Sequence, residues 1–136
     1  VEAPLNARWV EKDALLPECD HLVIVVPYSK ASHHTIGAAE LALMKPTATL
    51  TNVARGGVVA DAALAQALRE HRIAAAALDV FEGEPRVHPD LLAVPNVVLT
   101  PHIASATSNT RLRMAMLAAD TLVELLNGRP PRTPVK

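Results

Sequence analysis

Four short apolar runs, separated by stretches of helical spacing, constrain this chain more than any other feature. HLVIVV (21–26) is continuous, rich in β-branched residues and stopped by Pro27. It reads as a strand buried on both faces, the parallel-sheet type. TATLTNV (47–53) reads as a second buried strand, closed by Arg55-Gly56-Gly57. IAAAALDV (73–80) could be helical on alanine content alone, but its short length and its place directly after a helix favour a strand. VVLT (97–100) is the fourth, ended by Pro101.

Helical spacing fills the gaps. IGAAELALM (36–44) ends before Lys45-Pro46. In ADAALAQALREH (60–71), Ala62, Leu64, Ala65 and Leu68 share one face, and Asp61 can cap or favour the start. Residues 81–96 hold three of the eleven prolines and predict an ordered loop with one helical turn at Asp90-Leu91-Leu92. A long helix is expected from Ser105 to Asn127, with Leu112, Met116, Ala119, Val123 and Leu126 on one stripe and Gly128 as its stop. The tail RPPRTPVK is extended. Such alternation predicts an α/β fold, a parallel sheet with helices on its faces.

The totals narrow the function classes. A length of 136 residues, half of them hydrophobic, suits one domain with a real core. The net charge of −1 gives no electrostatic reason to propose nucleic acid or a membrane surface as partner. The single cysteine, Cys19, excludes an internal disulfide framework and fits a reducing cytosol. No apolar run approaches the roughly 18 residues of a membrane span, and VEAPLNARW has no signal-peptide pattern. A soluble, cytoplasmic domain is the expectation.

In parallel sheets ligands sit at the carboxyl ends of the strands. That rule singles out 27–30, 54–57, 79–85 and 102–105, where the out-of-place polar residues lie. Arg55 precedes two glycines that admit a ligand close to the backbone, and a guanidinium there suits a planar carboxylate. His102, fixed by Pro101, is a natural proton donor near neutral pH. Glu84, if it contacts His102, would favour the imidazolium. Carboxylate clamp, acid and supporting carboxylate are what reduction of a 2-oxo acid by hydride requires.

Duller readings exist for each residue. An arginine beside Gly-Gly is often a plain surface residue, and Glu82 and Glu84 cannot be ranked by periodicity within a loop. His33 and His34 suit solvated or capping roles, and Cys19 suits a small residue near the sheet. His88 with Asp79 could suggest a metal, but no ligand spacing such as H-E-x-x-H is present, so no metal is expected.

TNVARGGVV (51–59), AAALDVFEGEP (75–85) and TPHIASAT (100–107) resemble, in order, three signatures of the D-isomer-specific 2-hydroxyacid dehydrogenases. HLVIVVPYSKASHHTIGAAELALMKP is similar to the preceding strand, loop and helix of that family, so the likeness runs from about Ala14 to the end. The resemblance implies a Rossmann-like domain, NAD or NADP as cofactor, a small 2-oxo acid as substrate and a homodimer. It implies that Arg55 binds the substrate carboxylate and carbonyl and that His102 is the acid/base. It selects Glu84, the glutamate before proline, 29 residues after Arg55 and 18 before His102, over a solvated Glu82. Asp79 would hold the nicotinamide carboxamide side, with Val26, Pro27, Val53, Ala54 and Ser105 lining the cofactor beside Arg55 and His102. VVPYSKAS replaces a more usual C-P-L-T-P-x-T run, so Tyr28 and Ser29 depart from the family pattern where nicotinamide-ribose contacts are made, and Ala104 stands where glycine is common. The Ser-Ala-Thr after the histidine leans towards the glyoxylate/hydroxypyruvate and 2-ketogluconate reductase branch.

The sequence has no G-x-G-x-x-G turn; its glycines are at 37, 56, 57, 83 and 128. The expected organisation is therefore the second half of a dinucleotide-binding domain over 1–104, then a long helix and tail over 105–136 returning towards a substrate domain. Such a chain reads as the C-terminal portion of a longer enzyme, inactive alone because half the cofactor clamp is missing. The alternative is a truncated, non-catalytic Rossmann-like module that dimerises or binds. A related dehydrogenase-fold hydrolase such as adenosylhomocysteinase is disfavoured by the Arg-Glu-His set.

Overall fold

The computed structural model describes residues 5–131 and 133–134. Its elements run α1 (Lys12–Glu18), β1 (His21–Ile24), α2 (Ala38–Leu43), β2 (Thr49–Asn52), α3 (Asp61–Arg69), β3 (Ala75–Leu78), α4 (Pro89–Leu92), β4 (Val97–Leu99) and α5 (Ser108–Leu126). They form two compact units, Val1–His102 and Ile103–Lys136.

In the first unit the strands lie in chain order, β1-β2-β3-β4, all parallel. Their register aligns Ile24, Asn52, Leu78 and Leu99 in one row across the sheet, and every candidate segment begins just beyond that row. Leu22, Ile24, Leu50, Ala76 and Leu78 join Leu16 of α1, Leu41 of α2, Leu64 and Leu68 of α3 and Leu91 of α4 in one core. The fold is thus α/β and Rossmann-like, with a mainly aliphatic core that also holds Met44 and Phe81.

Burial on both strand faces does not hold for this chain. β1 alternates exposed and buried, and Val23 and Val98, on the face away from the core, are 55% and 64% exposed. A continuous apolar run cannot reveal which face lacks a covering layer. The strands are also shorter than their apolar runs, because Val25 and Val53 have already left the ladder.

α3 buries 61, 64, 65 and 68, an i, i+3, i+4, i+7 stripe, so Asp61 takes the inward position expected of Ala62, which is exposed. Asp61 does not cap the helix; the N-cap is Ala60, and the Asp61 carboxylate is used elsewhere. α1 has no counterpart in the sequence reading. Its KDALLPE segment spans two turns with a proline near the end, yet it buries Leu16 completely.

In the second unit, Thr107 caps α5 by accepting the Thr110 N–H at 3.2 Å. The helix therefore starts three residues later than expected. It ends at Leu126, and beyond the cap Gly128, with a φ of 72°, lets the 128 and 129 amides close back on Leu125 and Glu124. No residue of α5 is buried. Of the tail expected to be extended, Arg132, Val135 and Lys136 lie outside the described residues. No helix among the described residues is long and apolar enough to cross a membrane.

Candidate active site

The four segments beyond the aligned row supply the candidate side chains. After β1, Val26 and Pro27 lead into a loop stabilised by Ser32, whose hydroxyl donates to Pro27 O at 2.8 Å. After β2, Asn52 shapes the next turn. It is buried, accepts the Ala54 N–H at 3.1 Å and donates through Nδ2 to Arg55 O at 3.2 Å. Arg55 is exposed, donates through Nη1 to Ala54 O at 2.7 Å, and is in no ion pair among the described residues. Val26, Pro27, Val53, Ala54 and Arg55 come together with Tyr28 around one open hollow of about 590 Å³. An apolar wall ending in a guanidinium can take a flat ring and an anion side by side.

The two glycines after Arg55 have different duties. A Cβ on Gly56 would lie 1.8 Å from Phe81 O, so only glycine lets this turn press on the loop after β3. Gly57 has a φ of 79°, and a Cβ there would come within 2.9 Å of the Tyr28 ring.

Beyond β3, Asp79 is buried and accepts a hydrogen bond from the Thr100 hydroxyl at 2.6 Å. Glu84 accepts the Phe81 N–H on Oε1 at 3.0 Å and meets His102 Nδ1 through Oε2 at 2.8 Å. Burial pushes the Glu84 carboxyl up, but the His102 hydrogen bond, the Phe81 N–H and the charge of His102 together hold it below the usual carboxylate range, against the opposing charge of Asp79. An ionised carboxylate only accepts, so Nδ1 carries the proton and Nε2 is the ring atom left to exchange one with a ligand.

His102 itself has a φ of 53°, in the left-handed region that few residues with a Cβ occupy. Its N–H turns back to Thr100 O at 3.0 Å. The pair borders a second hollow of about 520 Å³, walled by Phe81, Pro85, Val87, Leu99 and Pro101. Ser105 sits in the turn before α5, in the second unit.

A family model described as D-isomer specific 2-hydroxyacid dehydrogenase, NAD binding domain, matches residues 1–104. The chain belongs to that family. It is 51% identical over 133 residues to a glyoxylate reductase of Thermococcus onnurineus, covering 98% of this chain and 40% of the relative. It is 49% identical over 129 residues to glyoxylate/hydroxypyruvate reductase B of Enterobacter agglomerans, covering 94% of this chain and 40% of the relative. The solved structure of an NADPH-dependent glyoxylate/hydroxypyruvate reductase from Sinorhizobium meliloti, in complex with NADP and malonate, superposes with a TM-score of 0.86 at 40% identity. That match covers 91% of this chain and 39% of that one. The chain therefore spans about 40% of the length of these 2-hydroxyacid dehydrogenase relatives.

Within this dehydrogenase domain some polar partners escaped sequence reasoning. Asn52 was detectable as a polar residue closing an apolar strand, and Thr100 as a hydroxyl just past another. Glu82 is exposed, as expected, but its carboxylate also meets His34 Nε2 at 2.6 Å and accepts the Asp61 N–H at 3.3 Å. That link joins positions 48 and 21 residues apart, which no local pattern reports. His33 is exposed, as expected, and in addition stacks on His34 at 3.8 Å and meets the Tyr28 hydroxyl at 3.3 Å. His88 accepts the Asp90 N–H through Nδ1 at 3.3 Å, as the N-cap of α4.

Proposed function

We propose that the protein containing this chain reduces a small 2-oxo acid of the glyoxylate or hydroxypyruvate kind to a D-2-hydroxy acid, using NADH or NADPH. The observation that carries this reading is the 2.8 Å contact between Glu84 and His102 Nδ1, which leaves Nε2 to give a proton. The hollow beside Arg55 fits the nicotinamide half of the cofactor, because exposed Val26 and Val53 offer apolar surface to a flat ring. When bound, the cofactor supplies the hydride that reduces the carbonyl carbon.

The residues of this chain do the rest. Arg55 grips the substrate carboxylate and orients the carbonyl. His102 Nε2 hydrogen-bonds the carbonyl oxygen and transfers its proton as negative charge develops there. Glu84 fixes the ring by holding Nδ1 and steadies the imidazolium. Asp79, kept in place by Thr100, takes the carboxamide side of the nicotinamide, and Ser105 joins the cofactor's wall. Those last two roles, a homodimeric state and a cytoplasmic location rest on the family likeness and on the composition.

The test is oxidation of NADH or NADPH by the full-length protein with glyoxylate and hydroxypyruvate. Arg55→Ala and His102→Gln should lower turnover by about 10²- to 10⁴-fold while the protein stays folded, since both side chains are exposed. Absence of turnover across a panel of 2-oxo acids, or a His102→Gln variant as active as its parent, would refute the reading. Full activity in the 136-residue chain alone would refute the need for a further cofactor-binding half.

A further inference from the structure

We propose that Glu82, which contacts neither substrate nor cofactor in the mechanism above, is a positioning residue. Through Asp61 and His34 it fixes both the backbone that aims Glu84 at His102 and the turn that carries Arg55. The inference rests on the proposed reductase function for its kinetic consequence, but not for its geometry.

Three contacts converge on this residue. The Asp61 N–H donates to Glu82 Oε1 at 3.3 Å, and the Glu82 N–H donates to Asp61 Oδ2 at 3.1 Å, a reciprocal clamp between the start of α3 and the loop after β3. His34 Nε2 meets the same Glu82 Oε1 at 2.6 Å. His34 lies in the left-handed region at φ 51° and donates its own N–H to Gly57 O at 2.8 Å, two residues from Arg55. Both catalytic loops are therefore tied to one carboxylate. They also touch directly, since Gly56 leaves no room for a side chain against Phe81 O.

Glu84 stands two residues beyond Glu82, and its Oε1 is bound by the Phe81 N–H on the other side of the clamp. Rotation of the 81–84 backbone would break that bond and the His102 contact together. The arrangement carries a cost. Asp61 is 4% exposed on the inward stripe of α3, and burial and the neighbouring Glu82 charge push its carboxyl up, against the Glu82 N–H and the charges of His88 and His34. An apolar residue would pack there more cheaply, so stability alone does not account for the carboxylate. His33, stacked on His34, and Arg86, beside the same loop, complete the charged or titratable surroundings.

The experiment compares Glu82→Ala, Glu82→Gln and the parent as full-length proteins, by thermal unfolding, by ¹³C NMR titration of the Glu84 carboxyl, and by kcat and KM. Glu82→Ala should stay folded, and its Glu84 should titrate at higher pH than in the parent. Its kcat should fall about 10- to 100-fold, as expected for a small misplacement of catalytic groups, with KM for the dinucleotide within about twofold. Glu82→Gln, which keeps the acceptor for the Asp61 N–H, should restore both values. A Glu84 titration and a kcat in Glu82→Ala equal to the parent's would overturn the proposal, as would a glutamine variant no better than alanine. If the parent reduces no 2-oxo acid, the functional reading fails while the Glu84 titration still decides the positioning role. Should Glu82→Ala not fold, His34→Ala removes the more exposed arm and is read the same way: a raised Glu84 titration supports the proposal, an unchanged one overturns it.

Discussion

Gly56→Ala puts the coupling between the Arg55 turn and the Glu84 loop to a direct test. The added Cβ would sit 1.8 Å from Phe81 O, 2.2 Å from its carbonyl carbon and 2.9 Å from Glu82 N. Restoring even the 3.4 Å limit of ordinary contact requires one backbone to retreat by roughly 1.6 Å. All three atoms belong to the backbone, so the strain cannot be relieved by a rotamer change. Overpacking of this kind costs about 1–3 kcal/mol. A misplacement of about 1 Å at the reacting groups costs about 10²-fold in rate, so kcat/KM should fall at least that far. Gly83→Ala, one residue before Glu84, is the matched control. The nearest atom to its Cβ would be Arg86 O at 3.5 Å, which is ordinary contact, and no positive φ is required. The assay is steady-state reduction of glyoxylate by the full-length variants, with thermal unfolding alongside. A Gly56→Ala enzyme as active as Gly83→Ala would show that the two loops are not packed as described.

Other perturbations probe the remaining contacts. Because Glu84 is held below its ordinary value near 4.5, its contribution to stability is present above that pH and is lost as pH falls through the folded-state value. Urea unfolding at pH 6 and at about pH 3.5 should therefore show the parent losing more stability than Glu84→Gln; equal losses would count against the His102 contact. Asn52→Ala removes both hydrogen bonds that shape the Arg55 turn and should cost about 1–3 kcal/mol in chemical denaturation, with a rise in KM for the 2-oxo acid. Leu68→Ala, in a fully buried site of α3, should cost about 2–5 kcal/mol while kcat of the folded fraction stays near the parent's.

Much of this architecture was legible because parallel strands and amphipathic helices write short-range patterns. The four apolar runs marked four strands, and the i, i+1, i+4 spacing of Leu64, Ala65 and Leu68 marked α3. The Glu84–His102 contact was suggested by the chemistry of the two side chains and selected by resemblance, and the two groups do meet. α1 was not legible, since a two-turn segment with an internal proline carries no periodic signal. The uncovered strand face was not legible either, because Val23 and Val98 have the composition of core residues whether or not anything packs on them. Asp61 and Glu82 mark the limit of local reasoning. Each is an unremarkable acidic residue in its own segment, and their roles exist only once folding brings position 61 beside position 82.

The row Ile24–Asn52–Leu78–Leu99 also has a consequence for chain length. Hydrogen bonds lock these four residues side by side, so the row acts as a common origin from which each loop is measured. An extra residue inserted before the row, in a connection entering a strand, can be absorbed there without moving the origin. The same residue inserted after it, between Asn52 and Arg55 or between Leu99 and His102, displaces the chemistry by up to about 3.3 Å. Insertions and deletions should therefore be tolerated at the amino ends of the strands and rejected at their carboxyl ends.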